Sequence, residues 1–299
     1  MKKEYKSYFF LTIAILLVAT TPAIIKNLIQ KMDPFQILFF ITLFAFITLF
    51  IVSLIKGQKE IIKNYTKKDY LVFFYMGALG IFLYTLLASA SLIFISAQEN
   101  IIVNYLWPVI VVFLSWLILK EKLTSKKIIA IIIAFFGAYI VLTKGNLIHF
   151  TFSSTTGILL ALAAAFAQAL YFTLGKKQNY EKITSIMFFY LFATILSFFA
   201  LILFSTFPTL TLKDLLTLLW LGGFAGGIGF VFFFLAYEYG EVHKISTLAY
   251  LSPFACLIYT RIIVGEKILL SSIVGLFVIL LGIFIQLKKK KPKKEINNY

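Results

Sequence analysis

The chain is poor in the side chains that carry most covalent and metal chemistry. It has one cysteine, Cys256, two histidines, His149 and His243, and 12 acidic residues in 299. A single cysteine excludes an intrachain disulfide and a cysteine-built metal cluster. The histidines stand far apart and outside any HExxH spacing, and no GxxxxGK[ST] run occurs, so neither a zincin centre nor a phosphate-binding P-loop is read here. Charged residues make up only 13%, against about 25% in an ordinary soluble domain. What fills the space is apolar: 61% of residues are hydrophobic and the mean hydropathy is +0.97. A soluble fold could not hide that much apolar surface, so the solvent of this chain is lipid. No cofactor is expected.

The apolar residues fall into ten runs: 7–29, 35–55, 70–94, 97–118, 126–143, 157–175, 184–205, 212–237, 243–263 and 269–287. A helix of about 20 residues crosses the hydrocarbon layer, and a helix satisfies its own backbone polar groups where lipid cannot. The expected fold is therefore an all-α integral membrane protein with ten transmembrane helices. The N-terminal MKKEYK and the run behind it resemble a signal peptide in part. That run passes through Pro22 to Ile29 with a poor cleavage pattern, which favours a first membrane helix with a proline kink.

The net charge of +16 would suggest nucleic acid in a soluble protein. Here the lysines sit between apolar runs and read as a topology signal, with no nucleic-acid partner. With the N-terminus placed inside, 22 of the 28 basic residues fall on the cytoplasmic side and 6 on the other. That bias obeys the positive-inside rule and puts both termini in the cytoplasm. The KKKKPKK tail can then lie against anionic lipid.

An internal repeat organises the chain. NYLWPVIVVFLSWLILKEK begins at Asn104 and AYLSPFACLIYTRIIVGEK at Ala249. Tyr105 and Tyr250, Pro108 and Pro253, Glu121 and Glu266, Lys122 and Lys267, and Gly137 and Gly282 all stand 145 residues apart. The repeat divides the chain into a first five-helix unit (1–144), a linker (145–156), a second five-helix unit (157–287) and a basic tail (288–299). Five is odd, so the second unit enters the membrane upside down. Two inverted five-helix repeats are a transporter plan whose substrate site lies near the midplane between the halves.

Polar and aromatic residues inside the runs are the candidate lining of that site. Asn100, Asn104 and Trp107 share one helical face. Ser246, Tyr250 and Pro253 repeat the pattern in the ninth run, Gln168 and Tyr171 fall in the sixth, and Tyr84 in the third. An unpaired amide in lipid is expensive, so Asn104 either lines a wet cavity or bonds a neighbouring helix. Pro22, Pro108 and Pro253 remove backbone donors and distort their helices; they act as bends or free carbonyls for substrate. Gly222 and Gly226 belong to overlapping GxxxG patterns, which let another backbone approach closely. Glu121 and Glu266 end their runs beside lysine, as helix anchors or as proton-coupling groups.

The VNYLWP run at 103–108 resembles that of the bacterial aromatic amino acid exporters, and the twin halves resemble the EamA domain of the drug/metabolite transporter superfamily. In both halves a proline is followed after twelve residues by Glu-Lys, and then by a glycine in the next run. The resemblance implies a ten-helix, two-repeat fold in a bacterial inner membrane, exporting or exchanging a small metabolite through a central cavity. Trp107 matches a cavity tryptophan of those exporters, while Gln168 stands where they would carry another. The reading is a secondary transporter that exports a small metabolite, amino acids among the candidates, by alternating access. A multidrug or nucleotide-sugar carrier is the rival, and an intramembrane enzyme or an accessory membrane protein the more distant one. A small solute and lipid are the expected partners, with a homodimer as one mode of assembly. In a Cys256→Ser background, Lys122→Cys and Lys267→Cys should react with an impermeant maleimide from opposite faces of the membrane. Labelling of both from one face would reject the inversion.

Overall fold

The computed structural model describes residues 3–146 and 153–287, and every regular element among them is helical. In chain order these are α1 (Lys3–Val18), α2 (Thr21–Leu28), α3 (Pro34–Ile55), α4 (Lys59–Lys63), α5 (Lys67–Gly77), α6 (Tyr84–Phe94), α7 (Ala97–Asn104), α8 (Trp107–Leu119) and α9 (Ser125–Leu142). Then follow α10 (Thr155–Gly175), α11 (Lys182–Phe204), α12 (Leu212–Leu219), α13 (Gly229–Tyr239), α14 (Val242–Ala249), α15 (Ser252–Tyr259) and α16 (Leu270–Leu287). Wider π-type turns join α5 to α6 over Ala78–Leu83 and α12 to α13 over Trp220–Ile228.

Helix starts in a membrane protein must satisfy N–H groups that have no intrahelical acceptor. Asp33 does so for α3: its Oδ1 accepts from Phe35 and Gln36 N–H at 2.8 and 3.1 Å, the Gln36 side chain accepts from Asp33 N–H, and Pro34 fills the first turn. Thr66 with Asp69, Ser96 with Glu99 and Thr211 with Asp214 form the same reciprocal box at the starts of α5, α7 and α12.

Among the described residues, eight helical segments are long and apolar enough to cross a membrane: Lys3–Leu28, Pro34–Ile55, Lys67–Phe94, Ala97–Leu119, Ser125–Leu142, Thr155–Gly175, Lys182–Phe204 and Leu212–Tyr239. Two shorter apolar helices, Ser252–Val264 and Leu270–Ile285, complete the bundle. The ninth run is thus not the single uninterrupted span that the sequence suggested. It divides into α14 and α15 around a turn at Tyr250–Leu251. Ala97–Leu119 is interrupted likewise at Tyr105–Leu106, and Lys3–Leu28 at Ala19–Thr20. The prolines explain the breaks. Pro22, Pro108 and Pro253 all sit in the first turn of the restarting helix, where a missing N–H leaves no bond unmade.

Helix boundaries carry the repeat into three dimensions. Lys67 and Leu212, Tyr84 and Gly229, Ala97 and Val242, Trp107 and Ser252, and Ser125 and Leu270 start corresponding elements, each pair 145 residues apart. Corresponding helices also pack on each other. In α9 and α16, Gly137 approaches Gly275 and Ile279, while Gly282 approaches Ala130 and Ala134, so the two run antiparallel. In α3 and α11, Gln36 Nε2 donates to Thr206 O at 2.8 Å and Thr42 shares a 3.0 Å hydroxyl bond with Ser197, again antiparallel. The remaining large contacts exchange partners: α1 packs on α13 and α10 on α6.

Lipid is as apolar as leucine, so helix association relies on close packing. The α9–α16 seam is built for it, with Ala130, Ala134, Gly137 and Ala138 buried against Leu276, Ile279 and Ile283. Large apolar side chains such as Ile55, Phe204, Ile262 and Leu270 lie on the outside, where they meet acyl chains. A Cβ on Gly137 would stand 2.6 Å from the Gly275 carbonyl oxygen. Gly137→Val should therefore lower the thermal midpoint of the purified protein, with an overpacking penalty of about 1–3 kcal/mol, while Lys59→Ala should leave it unchanged.

Candidate functional site

The two interrupted spans meet at their interruptions. Tyr105 ends the first half of one span, and its hydroxyl bonds Ser252 Oγ, the first residue of α15, at 2.5 Å. Tyr250 and Phe254 pack into the same cluster as Tyr105, Leu106, Val109, Cys256 and Leu257. Each interruption puts a turn where a membrane helix would otherwise be closed, and the two turns sit side by side between the halves of the chain.

Tyrosines extend this centre. Tyr84 of α6 is within electrostatic reach of Tyr105 and Cys256, Tyr105 of Tyr250, and Tyr190 of α11 of both Tyr84 and Tyr171. The hydroxyl of Tyr190 lies 3.3 Å from where a Cβ on Gly226 would stand. Tyr171 lies with its ring against Gly80 in the π turn and edge-on to Phe189 at 6.0 Å. A row of phenols thus runs from α10 through α11, α6 and α7 to the turn before α15. Among the described residues, the hydroxyls of Tyr84, Tyr171, Tyr190 and Tyr250 have no hydrogen-bond partner, whereas Tyr105 has Ser252.

The amides behave differently from one another. Asn100, 4% exposed, donates to Ala88 O and Ser91 Oγ and ties α7 to α6. Asn104, 7% exposed, donates through Nδ2 to Asn100 O at 3.0 Å, but its Oδ1 is buried without a partner. The Oε1 of Gln168 is also buried and unpartnered. An orphaned acceptor of this kind costs about 1–3 kcal/mol. Trp107 stacks on Phe172 with centroids 4.4 Å apart and ring planes 20° apart.

The candidates read from sequence therefore fall into three groups. Tyr84, Tyr171 and Tyr250 fall in the row of tyrosines, Asn104 ends α7 beside Tyr105, Gln168 lies on α10, and Trp107 stacks on Phe172. Asn100 is taken up by helix–helix bonds. Ser246 lies on α14, but its side chain is outside the described residues, as are His149 and the tail from Lys288. Three members escaped the sequence reading. Tyr105 and Ser252 were findable, because the repeat pairs Tyr105 with Tyr250 and Ser252 with Trp107. Tyr190 carries no local sign; only the packing of α11 brings it to the centre. Gly222 serves packing, since a Cβ there would meet the Ile41 carbonyl oxygen at 2.4 Å.

The corresponding glutamates have unlike surroundings. Glu266 reaches across the bundle to the start of α7: its Oε1 accepts from Ala97 N–H at 2.9 Å, and the Gln98 side chain bridges to Lys267 O and Leu269 N–H. Nearby, Glu99, 4% exposed, accepts from Ser96 N–H and from both the Ser96 and Ser153 hydroxyls. Lys26 donates to the last carbonyls of α6 and its flank, Leu92 O and Ile95 O, at 2.6 and 2.7 Å. Glu121, at the opposite end, pairs with Lys176 at 3.2 Å and Lys127 at 3.4 Å. Desolvation pushes the Glu121 carboxyl up, but the two ammonium groups outweigh it and hold the carboxyl below its ordinary value.

A groove of about 640 Å³ opens on the flank of the bundle, lined by Thr20, Ile24, Leu212, Leu216, Trp220 and Ile263. It is separate from the row of tyrosines, and Trp220 Nε1 donates to Thr20 Oγ1 at its base. Among the described residues no group of three or more His, Cys, Asp or Glu could hold a metal ion.

An all-helical bundle with eight membrane-length apolar helices is a multi-pass membrane protein. The EamA-like transporter family matches residues 5–143 and again residues 155–287, and the chain belongs to that family. An uncharacterized transporter of Clostridium kluyveri is 24% identical over 304 residues, covering 97% of this chain and 96% of its own. One of Archaeoglobus fulgidus is 28% identical, covering 81% and 85%. Another, of Acidianus ambivalens, is 31% identical over 210 residues, covering 70% and 81%. A protein of known crystal structure, 19% identical, superposes with a TM-score of 0.65 over 95% of this chain and 96% of its own, and so shares the fold. Family and relatives mark a transporter rather than an enzyme.

Glu266→Ala would leave the Ala97 and Gln98 N–H groups without their acceptor, while Ser96 still caps Glu99 N–H. Hydrogen exchange at Ala97–Asn100 should accelerate, with a loss of local stability of about 1 kcal/mol. Unchanged exchange would show that the contact holds nothing in place.

Proposed function

We propose that this protein is a secondary transporter that exports a small metabolite across a bacterial plasma membrane. On this reading ten helices form two inverted five-helix repeats, residues 1–144 and 157–287, joined by the linker 145–156 and followed by the basic tail 288–299. The solute passes through the seam between the repeats by alternating access. The observation that carries the reading is the meeting of two interrupted helices at Tyr105 and Ser252, with the unpartnered Oδ1 of Asn104 one residue before the first break. Discontinuous helices at a repeat interface are where such transporters bind their cargo. The antiparallel contacts of α9 with α16 and α3 with α11 support inversion, because repeats related by an axis along the membrane normal would bring equivalent helices together parallel.

The lysine distribution supports cytoplasmic termini. Glu266, Glu99 and Lys26 then lie at the outer end and Glu121 at the inner end. On this orientation the outer end holds the buried Glu99 with the partly exposed Glu266 and Lys26, and the inner end holds the ion pairs of Glu121 with Lys127 and Lys176, each worth about 0–1 kcal/mol. Opening outward requires Glu266 and Gln98 to release α7 and α16, and Pro22, Pro108 and Pro253 mark the joints where each span can flex. A multidrug carrier is the second reading, favoured by the lateral groove at Trp220, through which an amphipathic compound could enter from the bilayer.

Cells carrying the protein should accumulate less of some amino acid, amine or amphipathic drug than cells lacking it, and proteoliposomes should show counterflow of that solute. Asn104→Ala and Trp107→Ala should each lower flux about tenfold or more with insertion intact. Normal flux in both would remove the seam from the transport path.

A further inference from the structure

The groove on the flank of the bundle is built from both family-matched segments. Thr20 and Ile24 belong to the first, and Leu212, Leu216, Trp220 and Ile263 to the second. Two hydrogen bonds cross between the segments here: Trp220 Nε1 donates to Thr20 Oγ1 at 3.0 Å, and Asn27 Nδ2 donates to the Ile263 carbonyl at 3.1 Å. The space is thus a gap left between pieces that are tied together beside it. Leu212, Leu216 and Trp220 stand four residues apart and form one stripe of the helix, and all three are exposed. The stripe lies in the membrane-length segment Leu212–Tyr239, and Thr20 and Ile24 lie in Lys3–Leu28, so the gap faces acyl chains. From Leu212 to Trp220 the helix rises about 12 Å, against about 15 Å for the hydrocarbon of one leaflet. A single acyl chain lying along the stripe matches that length. The hydroxyls of the lining are already bonded within the protein. Thr20 Oγ1 donates to the Leu17 carbonyl, and Thr217 Oγ1 donates to the Lys213 carbonyl.

The mouth of the groove is charged. Lys213 lines it, is exposed, and forms no ion pair among the described residues. Lys31, also exposed, pairs with Asp214 at 3.8 Å and brings a second ammonium to the start of α12. The carboxylates at this end are engaged as helix caps. Asp214 is buried and accepts from the Thr211 N–H and hydroxyl. Asp33 accepts from the Phe35 and Gln36 N–H groups and from the Ser205 hydroxyl. Lysine binds phosphate as a point charge, and basic pockets between membrane helices bind lipid headgroups.

We infer that the groove seats one acyl chain of an anionic phospholipid, with the end of the chain against Trp220 and Thr20 and the phosphate at Lys213. The lipid touches both family-matched segments at once. This inference stands on the membrane fold and not on the transport reading. The chain has three tryptophans, and Trp116, exposed on α8, reports on lipid away from the groove. Two full-length proteins are compared, one keeping only Trp220 and the other only Trp116, with the remaining tryptophans changed to phenylalanine. Each is reconstituted in vesicles of phosphatidylcholine and phosphatidylglycerol in varied ratio, with bromine on the acyl chains of one lipid or the other, and quenching of fluorescence is read. At Trp220 phosphatidylglycerol should be preferred about fivefold, equivalent to about 1 kcal/mol, and at Trp116 neither lipid should be preferred. Lys213→Gln should remove the preference at Trp220, and so should Ile24→Phe, which fills the groove. Gel filtration checks that each variant is folded, and Thr217→Phe serves where Ile24→Phe is not. The inference is overturned if Trp220 prefers neither lipid, if Trp116 shows the same preference, or if the folded Lys213→Gln protein keeps it. Preference that survives filling of the groove also overturns it, because the lipid is then held by surface charge alone.

Discussion

A helix that stops inside a hydrocarbon layer leaves polar groups that lipid cannot satisfy. The rest of this protein follows from where it allows that to happen. The interruptions at Tyr105–Leu106 and Tyr250–Leu251 are not scattered through the bundle. They abut, joined by the Tyr105–Ser252 bond, within a cluster whose aliphatic side chains, Leu106, Val109 and Leu257 among them, surround the two tyrosines. Pairing the breaks confines the polar backbone to one place, and the lipid-facing surface remains apolar.

Much of the architecture could be read from residue order because the bilayer imposes a length scale and leaves few structures able to cross it. Ten apolar runs, the 145-residue register and the buried amide of Asn104 all stand in the sequence. The fine division of the helices does not. A proline in an apolar run looks the same whether it bends a helix or restarts one, and the difference lies in the backbone two residues before it. Long-range partners were equally hidden. Glu266 resembles any charge at a helix end, yet its carboxylate caps α7, some 170 residues earlier in the chain. Tyr190 resembles any aromatic in a membrane span until the packing of α11 aims it inward.

Small residues account for how the bundle holds together without a hydrophobic drive between its helices. The glycines of α9 and α16 bring two backbones into contact, and Gly222 does the same for the segment beside α3. These contacts are rigid because nothing can be compressed further at a carbonyl. The polar contacts at the bundle ends are of the other kind. They are made by longer side chains, so the backbone-to-backbone seams and the side-chain contacts lie on different parts of the molecule.

The coincidence of helix boundaries between the two halves has an energetic corollary. If the halves exchange roles when the molecule turns its mouth from one side to the other, the two orientations are built from equivalent parts and start out nearly isoenergetic. Whatever imbalance exists must then come from positions where the halves disagree, such as Glu121 with its two lysines set against Glu266 with its backbone amides. A resting preference of this machine is written in its departures from self-similarity, and evolution could reset it by editing one end alone.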